Sequence, residues 1–303
     1  MNDLKHIILA LCLTMTITIS PHVMQKANAT DKTQKIKVVA SFSILADMVR
    51  QVTGDLAQIT SIVGPDADAH VYTPSVEDAL AVTKADIIFV NGLGFETWSK
   101  TLIESSKTKA KVVVATKNIE PLKVEGETDP HAWNALPNGI IYITNIRDTM
   151  VEADPKNAKQ YQSNAQSYIA KLKALHDKTL KTFSKLPKDN RTVVTAHDAF
   201  GYLAKSYNLE FLAPIGIDTE AEPSAQQLAK LIDQIKAQKV TALFVENINS
   251  PALVEQIAKE TGLKIGGRIY SDALSERGGP ATSYLAMFEH NTQALVLALT
   301  GTQ

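Results

Sequence analysis

The sequence predicts an α/β protein of two doubly wound, Rossmann-like lobes joined by one long rigid α-helix. Three observations predict it. From Ile36 onward, short β-branched runs alternate with stretches of helical periodicity, the pattern of a parallel sheet covered by helices. The same alternation begins again near Thr192. Between the two stretches, no Gly or Pro interrupts the chain from Lys156 to Leu186.

In the first half, strands are expected at Ile36–Ala40, Ala57–Val63, Asp86–Asn91 and Lys111–Ala115. Helices are expected near Ile44–Val52, Ser75–Lys84 and Phe95–Ser106, the second of them opened by Ser75 as its N-cap. In the connector, Asp154 is expected as an N-cap with Pro155 at the first helical position, and Pro187 as the stop. Tyr161, Ala165, Tyr168, Leu172 and Leu175 recur at spacings of four and three, so they line one face; Leu180, Phe183 and Leu186 continue it less cleanly. At 1.5 Å per residue such a helix is roughly 45–50 Å long. Two helices broken by a turn are the alternative, but the segment carries no turn signal. Bending a continuous helix breaks backbone hydrogen bonds, so small lobe movements are expected on binding.

The second half repeats the theme, with strands at Thr192–Ala196, Leu209–Ile217, Val240–Glu246 and Lys264–Tyr270. Its helices fall near Ala199–Tyr207, Ser224–Gln238, Pro251–Thr261 and Ser283–Leu299. The expected domains are 30–152, the connecting helix 153–187, and 188–303.

Residues 1–29 read as a secretory signal. Lys5 supplies the positive start, Ile7–Ile19 the apolar stretch, and Ala27-Asn28-Ala29 a small-x-small cleavage site. That stretch is short for a membrane span, which needs about 20 residues. The periplasm is the expected location. Cys12, the only cysteine, falls inside this signal, so neither a disulfide nor a thiolate metal ligand is expected after it. Leu11 precedes Cys12 where a lipoprotein signal has a small residue, which disfavours a lipid anchor.

Charge excludes other partners. Lys and Arg number 31 against 32 Asp and Glu, and no basic cluster interleaved with aromatics suggests a nucleic-acid surface.

Four residues stand out because each sits at or just past the end of an apolar run: His70, His131, His197 and Asp272. Open α/β sheets present ligands at the carboxyl ends of their strands, and three imidazoles plus a carboxylate complete a four-coordinate site. Taken singly, each has a plainer reading. His70 lies in a turn-rich loop where a solvated histidine would serve. His131, in Asp129-Pro130-His131-Ala132-Trp133, has Pro130 to fix the backbone, Asp129 to accept a hydrogen bond and Trp133 to exclude water, although Trp133 would equally anchor a loop. His197 sits at a strand-to-helix switch, where capping belongs more naturally to Asp198. Asp272 alone would be a turn residue. Glu246, at another strand end, is a candidate to orient a ligand histidine; Glu222 most simply complements the dipole of the helix after Ser224. His6 and His22 belong to the signal, and His176 and His290 to helices, so none of them joins the set.

Five pieces resemble the periplasmic solute-binding proteins of bacterial zinc and manganese ABC transporters. They are His70-x-Tyr72-x-Pro74-Ser75, Asp129-Pro130-His131-Ala132-Trp133, His197-Asp198-Ala199-Phe200-Gly201-Tyr202, Glu222-Pro223-Ser224 and Tyr270-Ser271-Asp272-Ala273-Leu274. The resemblance runs from about Ile36 to the C-terminus. It implies one metal ion held between the lobes by His70 and His131 from the first and His197 and Asp272 from the second. It also implies a membrane permease as partner and a monomer.

Two departures bear on the metal. Many zinc-specific members carry a long His-rich loop before the second histidine, whereas 121–128 is short and has none. Manganese and iron members often have Glu at the third ligand position, and this chain has His197. Three nitrogens and one carboxylate suit Zn²⁺, and the Irving–Williams order favours it; a bidentate Asp272 would admit Mn²⁺. Capture and delivery of a divalent metal, Zn²⁺ first, is therefore the expected function, with affinity falling as pH drops through about 6. A metallohydrolase is the competing class, weakened by the absence of a His-Glu-x-x-His helix. A metal-containing adhesin is the third.

Overall fold

Each half of the chain begins with a strand whose residues are almost wholly buried, and that strand lies inside its sheet. The computed structural model describes residues 35–301 apart from 188 and 239. In the first half, β1 (Ile36–Phe42), β2 (Ala57–Val63), β3 (Ile87–Val90) and β4 (Lys111–Val114) pair in parallel in the order β2-β1-β3-β4. Val38, Val39, Ala40 and Phe42 of β1 are buried, whereas Val112 and Val114 on the edge strand β4 are exposed. Apolar content thus tracks position in the sheet. Helices α1 (Ser43–Thr53), α2 (Val76–Lys84) and α3 (Ser99–Ser105) make the connections. α2 opens where expected, with a capping box between Ser75 and Asp78.

Two elements of the first half are not anticipated by the sequence pattern. A small hairpin, β5 (Lys123–Val124) and β6 (Glu127–Thr128), turns at Glu125 and Gly126, both with positive φ. α4 (Leu136–Ala153) follows a short 3₁₀ turn at Ala132–Asn134. Its Gly139 and β-branched residues weaken its helical propensity, and burial of Leu136, Tyr142, Ile143, Ile146 and Met150 overrides that weakness.

The connector is one helix, α5 (Ala158–Ser184), with Tyr161, Ala165, Tyr168, Leu172, Leu175 and Phe183 buried as expected, whereas Leu180, expected to continue that face, is exposed because it lies off the stripe. It starts later than expected, because Pro155–Asn157 form a separate 3₁₀ turn. Asp154 does not cap a backbone amide; its Oδ2 accepts from Asn157 Nδ2 and Tyr161 Oη, each at 2.7 Å. The 27 residues of α5 give a helix of about 40 Å.

The second half has β7 (Thr192–Val194), β8 (Glu210–Leu212), β9 (Leu243–Glu246) and β10 (Ile265–Ile269), parallel in the order β10-β9-β7-β8. Helices α6 (Gly201–Tyr207), α7 (Ala225–Ala237), α8 (Ala252–Thr261) and α9 (Tyr284–Thr300) complete it. β8 is shorter than its apolar run because Pro214 breaks the ladder, leaving Ile215 in an isolated bridge with His197. One apolar core runs from Val38 to Leu299 through both halves, with a smaller one around Val194, Leu231 and Ile257.

Candidate metal centre

In each sheet the connection reverses beside the first strand, between β1 and β3 and between β7 and β9, and such reversals open a crevice at the carboxyl ends of strands. His70 follows β2, His197 follows β7 and Asp272 follows β10. His131 departs from the expected pattern: it follows the β5–β6 hairpin and heads the 3₁₀ turn, not a strand of the main sheet.

The four residues come together. His70 Nε2 lies 3.2 Å from His131 Nε2 and 3.2 Å from Asp272 Oδ2. His197 Nε2 is 3.2 Å, and His131 Nε2 3.7 Å, from the same carboxylate oxygen. All four donor atoms lie within 4.8 Å of one another. Donors about 2.0–2.1 Å from a tetrahedral zinc stand roughly 3.3 Å apart, so these spacings suit a single first-row ion. His131, His197 and Asp272 have no solvent exposure and His70 has 5%. His197 Nε2 and Asp272 Oδ1 are buried without a hydrogen-bond partner among the described residues. A cation between the donors would supply what those atoms lack.

Two of the three imidazoles are aimed from behind by a carboxylate. Asp129 Oδ1 lies 2.9 Å from both the backbone N and Nδ1 of His131. Asp129 is itself held by Tyr202 Oη, which donates to its carbonyl at 3.0 Å. Asn91 Nδ2 donates to the carbonyl of Pro130 at 2.9 Å, and Tyr142 Oη donates to Asn91 Oδ1. Glu246, singled out from sequence, sits at 2.6 Å from His197 Nδ1 through Oε2, while its Oε1 accepts from the backbone N of Ala196 and His197. A carboxylate on Nδ1 keeps the proton there and leaves Nε2 as the donor to metal. His70 has no such carboxylate among the described residues; Asp68 instead accepts from its backbone N at 2.8 Å.

Trp133 lies beside the donors. It is fully buried, its ring centroid 5.4 Å from that of His131, and its Nε1 donates to the carbonyl of Ser271 in the other half at 2.7 Å. Phe95 packs edge-on against both Trp133 and His70, its ring centroid 4.7 Å from each. Phe95, Asp68 and Ser271 carry no sequence signal of their own, since their roles depend on which loops meet. Asp198 does not cap: the helix after it starts only at Gly201, and Asp198 is half-buried with its pKa raised by desolvation and by the Asp129 charge.

The electrostatics are those of a poised ion pair. Burial disfavours the imidazolium of His197, but the charges of Glu246 and Asp272 outweigh it and hold its pKa well above the ordinary histidine value. Burial likewise opposes ionisation of Asp272, and the imidazoles of His197 and His131 overcome it, placing Asp272 well below the ordinary carboxylate range.

Comparison with known proteins identifies the family of this chain. The family of periplasmic zinc-uptake complex component A matches residues 38–298. An iron-binding protein of Yersinia pestis, YfeA, is 37% identical over 276 residues, covering 89% of this chain and 88% of its own. The manganese ABC transporter substrate-binding lipoprotein scaA of Streptococcus gordonii is 33% identical over 278 residues, 88% of this chain and 90% of its own. Among solved structures, the periplasmic zinc-binding protein TroA of Treponema pallidum superposes with a TM-score of 0.84 at 28% identity, covering 88% of this chain and 99% of that one. The expectation of no lipid anchor is not borne out: relatives carry both names, periplasmic protein and lipoprotein, so the size of Leu11 does not decide whether Cys12 takes lipid. Both residues, and the rest of 1–34, lie outside the described residues.

Proposed function

Because the chain belongs to the family of periplasmic zinc-uptake components, we propose that it captures a divalent transition metal outside the inner membrane and hands it to the permease of an ABC transporter. One observation carries this reading. Four donors, two from each half of the chain, lie within 4.8 Å of one another and are almost wholly shielded from solvent. His70, His131, His197 and Asp272 are the proposed ligands, with Asp129 and Glu246 orienting two of the imidazoles. Trp133 and Phe95 keep the site dry. A closed set of four protein donors suits carriage, whereas hydrolysis needs a coordination position for water, so we infer a carrier and not an enzyme. The protein acts as a monomer, without nucleic acid.

Zn²⁺ is the proposed cargo, because three imidazole nitrogens and one carboxylate oxygen at near-tetrahedral spacing favour it and the Irving–Williams order adds to that preference. One observation keeps Mn²⁺ or Fe²⁺ as a second reading. Asp272 Oδ1 is buried and unpartnered beside the donors, so a bidentate Asp272 would raise the coordination number. Elemental analysis of protein isolated from the periplasm without chelators, followed by competition between Zn²⁺ and Mn²⁺, tests the choice. Protein isolated without metal, and binding neither ion at micromolar concentration, would sink the carrier reading. In cells, a deletion strain should recover metal-limited growth with the intact gene and not with His131→Ala.

A further inference from the structure

The metal donors are sealed unevenly. Only His70 keeps any side-chain exposure, 4%, so the shortest way between solvent and the donors passes the loop that carries it. Asp66 and Asp68 fasten that loop to the second half. Asp66 makes three bonds to it: its backbone N donates to the carbonyl of Leu274 at 2.9 Å, and its carboxylate accepts from Asn247 Nδ2 at 2.8 Å and the backbone N of Glu276 at 3.1 Å. Asp68 makes one, and it lies nearest the metal donors. Its Oδ2 accepts from Thr219 Oγ1 at 2.7 Å, while its Oδ1 accepts from the backbone N of His70.

Thr219 stands on the β8–α7 loop, whose start is fixed to the other side of the site. Ile215 bridges to His197, and the backbone N of Asp198 donates to the carbonyl of Ile215 at 3.1 Å. A circuit therefore runs from His70 through Asp68 and Thr219 to Ile215 and His197, joining one proposed ligand of each half outside the metal.

We propose that the Asp68–Thr219 hydrogen bond is a latch that sets how fast metal loads and leaves, with Asp68 the positioning residue that couples it to His70; this rests on the carrier reading above. The bond uses none of the metal-donor atoms, so metal binding does not have to break it. Opening the latch therefore eases loading and release by the same factor, and the equilibrium affinity stays nearly fixed. A residue that merely shaped the coordination sphere would instead change affinity.

The test is stopped-flow kinetics of Zn²⁺ binding and of Zn²⁺ release to excess fluorescent chelator, extrapolated to zero chelator. Thr219→Val keeps the side-chain shape and removes the donor. Hydrogen bonds to charged groups at part-buried sites support an effect of about tenfold on each rate, equivalent to about 1.4 kcal/mol. Kd from competition should move less than about threefold, and Thr219→Ser should restore both rates toward wild type. Unchanged rates in Thr219→Val, or faster release with a matching loss of affinity and no faster loading, would overturn the latch. Wild-type protein that binds neither Zn²⁺ nor Mn²⁺ would instead overturn the carrier reading beneath it.

Discussion

Glu246 grips His197 twice, through Nδ1 at 2.6 Å and through the backbone N at 3.0 Å. The same carboxylate accepts from Ser271 Oγ at 2.6 Å, next in sequence to Asp272. One side chain therefore braces His197 and the residue next to Asp272.

Glu246→Gln is expected to keep the fold and lose metal affinity. The amide puts a donor where His197 Nδ1–H needs an acceptor, which frees the ring to turn. Loss of an orienting carboxylate typically weakens metal binding by about 10–100-fold. Competition against a chelator of known affinity measures this, with circular dichroism as the check on folding.

Affinity should rise with pH across the neutral range. In the metal-free protein His197 holds a proton above the ordinary histidine range, and metal must displace it. Apparent affinity therefore gains about tenfold per pH unit until pH passes the raised value, where the slope flattens. The stability linkage runs the other way. A raised His197 contributes stability that is full below about pH 6.5 and lost as pH rises through its folded value, whereas the lowered Asp272 contributes above about pH 3.9 and loses it as pH falls through its own. The rise in melting temperature on adding Zn²⁺ should thus be larger at pH 8 than at pH 6. A shift that shrinks over that range would contradict the assignment.

Asp272→Asn tests the cargo. It removes the one charged oxygen donor and leaves three imidazoles. Mn²⁺ relies more on oxygen donors than Zn²⁺ does, so the variant should lose Mn²⁺ binding by a larger factor than Zn²⁺ binding. Isothermal titration with each ion gives the ratio.

Gly139→Ala should destabilise the protein although alanine is the better helix former. A Cβ on Gly139 would stand 2.6 Å from Tyr284 Oη and 2.9 Å from its ring, and that hydroxyl donates to the carbonyl of Trp133 at 2.6 Å. The ring must shift and the hydrogen bond stretch, a loss of about 1–3 kcal/mol that outweighs the propensity gain of about 1 kcal/mol. Urea unfolding would show it as a lower midpoint at unchanged slope.

Much of this was legible in the chain. The alternation of β-branched runs with helical periods located all eight strands of the two main sheets, and the Tyr161-to-Leu175 stripe marked the buried face of α5. Where elements were missed or misjudged, local and tertiary forces disagree. α4 hides behind Gly139 and Pro137 because its stability comes from packing, and Asp154 looks like a cap until Tyr161 and Asn157 claim its carboxylate.

By itself, the sequence determined the fold class and the chemistry that His70, His131, His197 and Asp272 offer, because periodicity and residue type are local properties, while family resemblance grouped the four. Only the tertiary structure decided that His70 and Asp272, 202 positions apart, meet at 3.2 Å. It also decided that Glu246, Ser271 and Trp133 brace the donors, and that Asp68 reaches Thr219 across the mouth of the site. Those contacts depend on how two sheets dock around one continuous core, and no short-range pattern encodes a distance between loops from different halves of a chain.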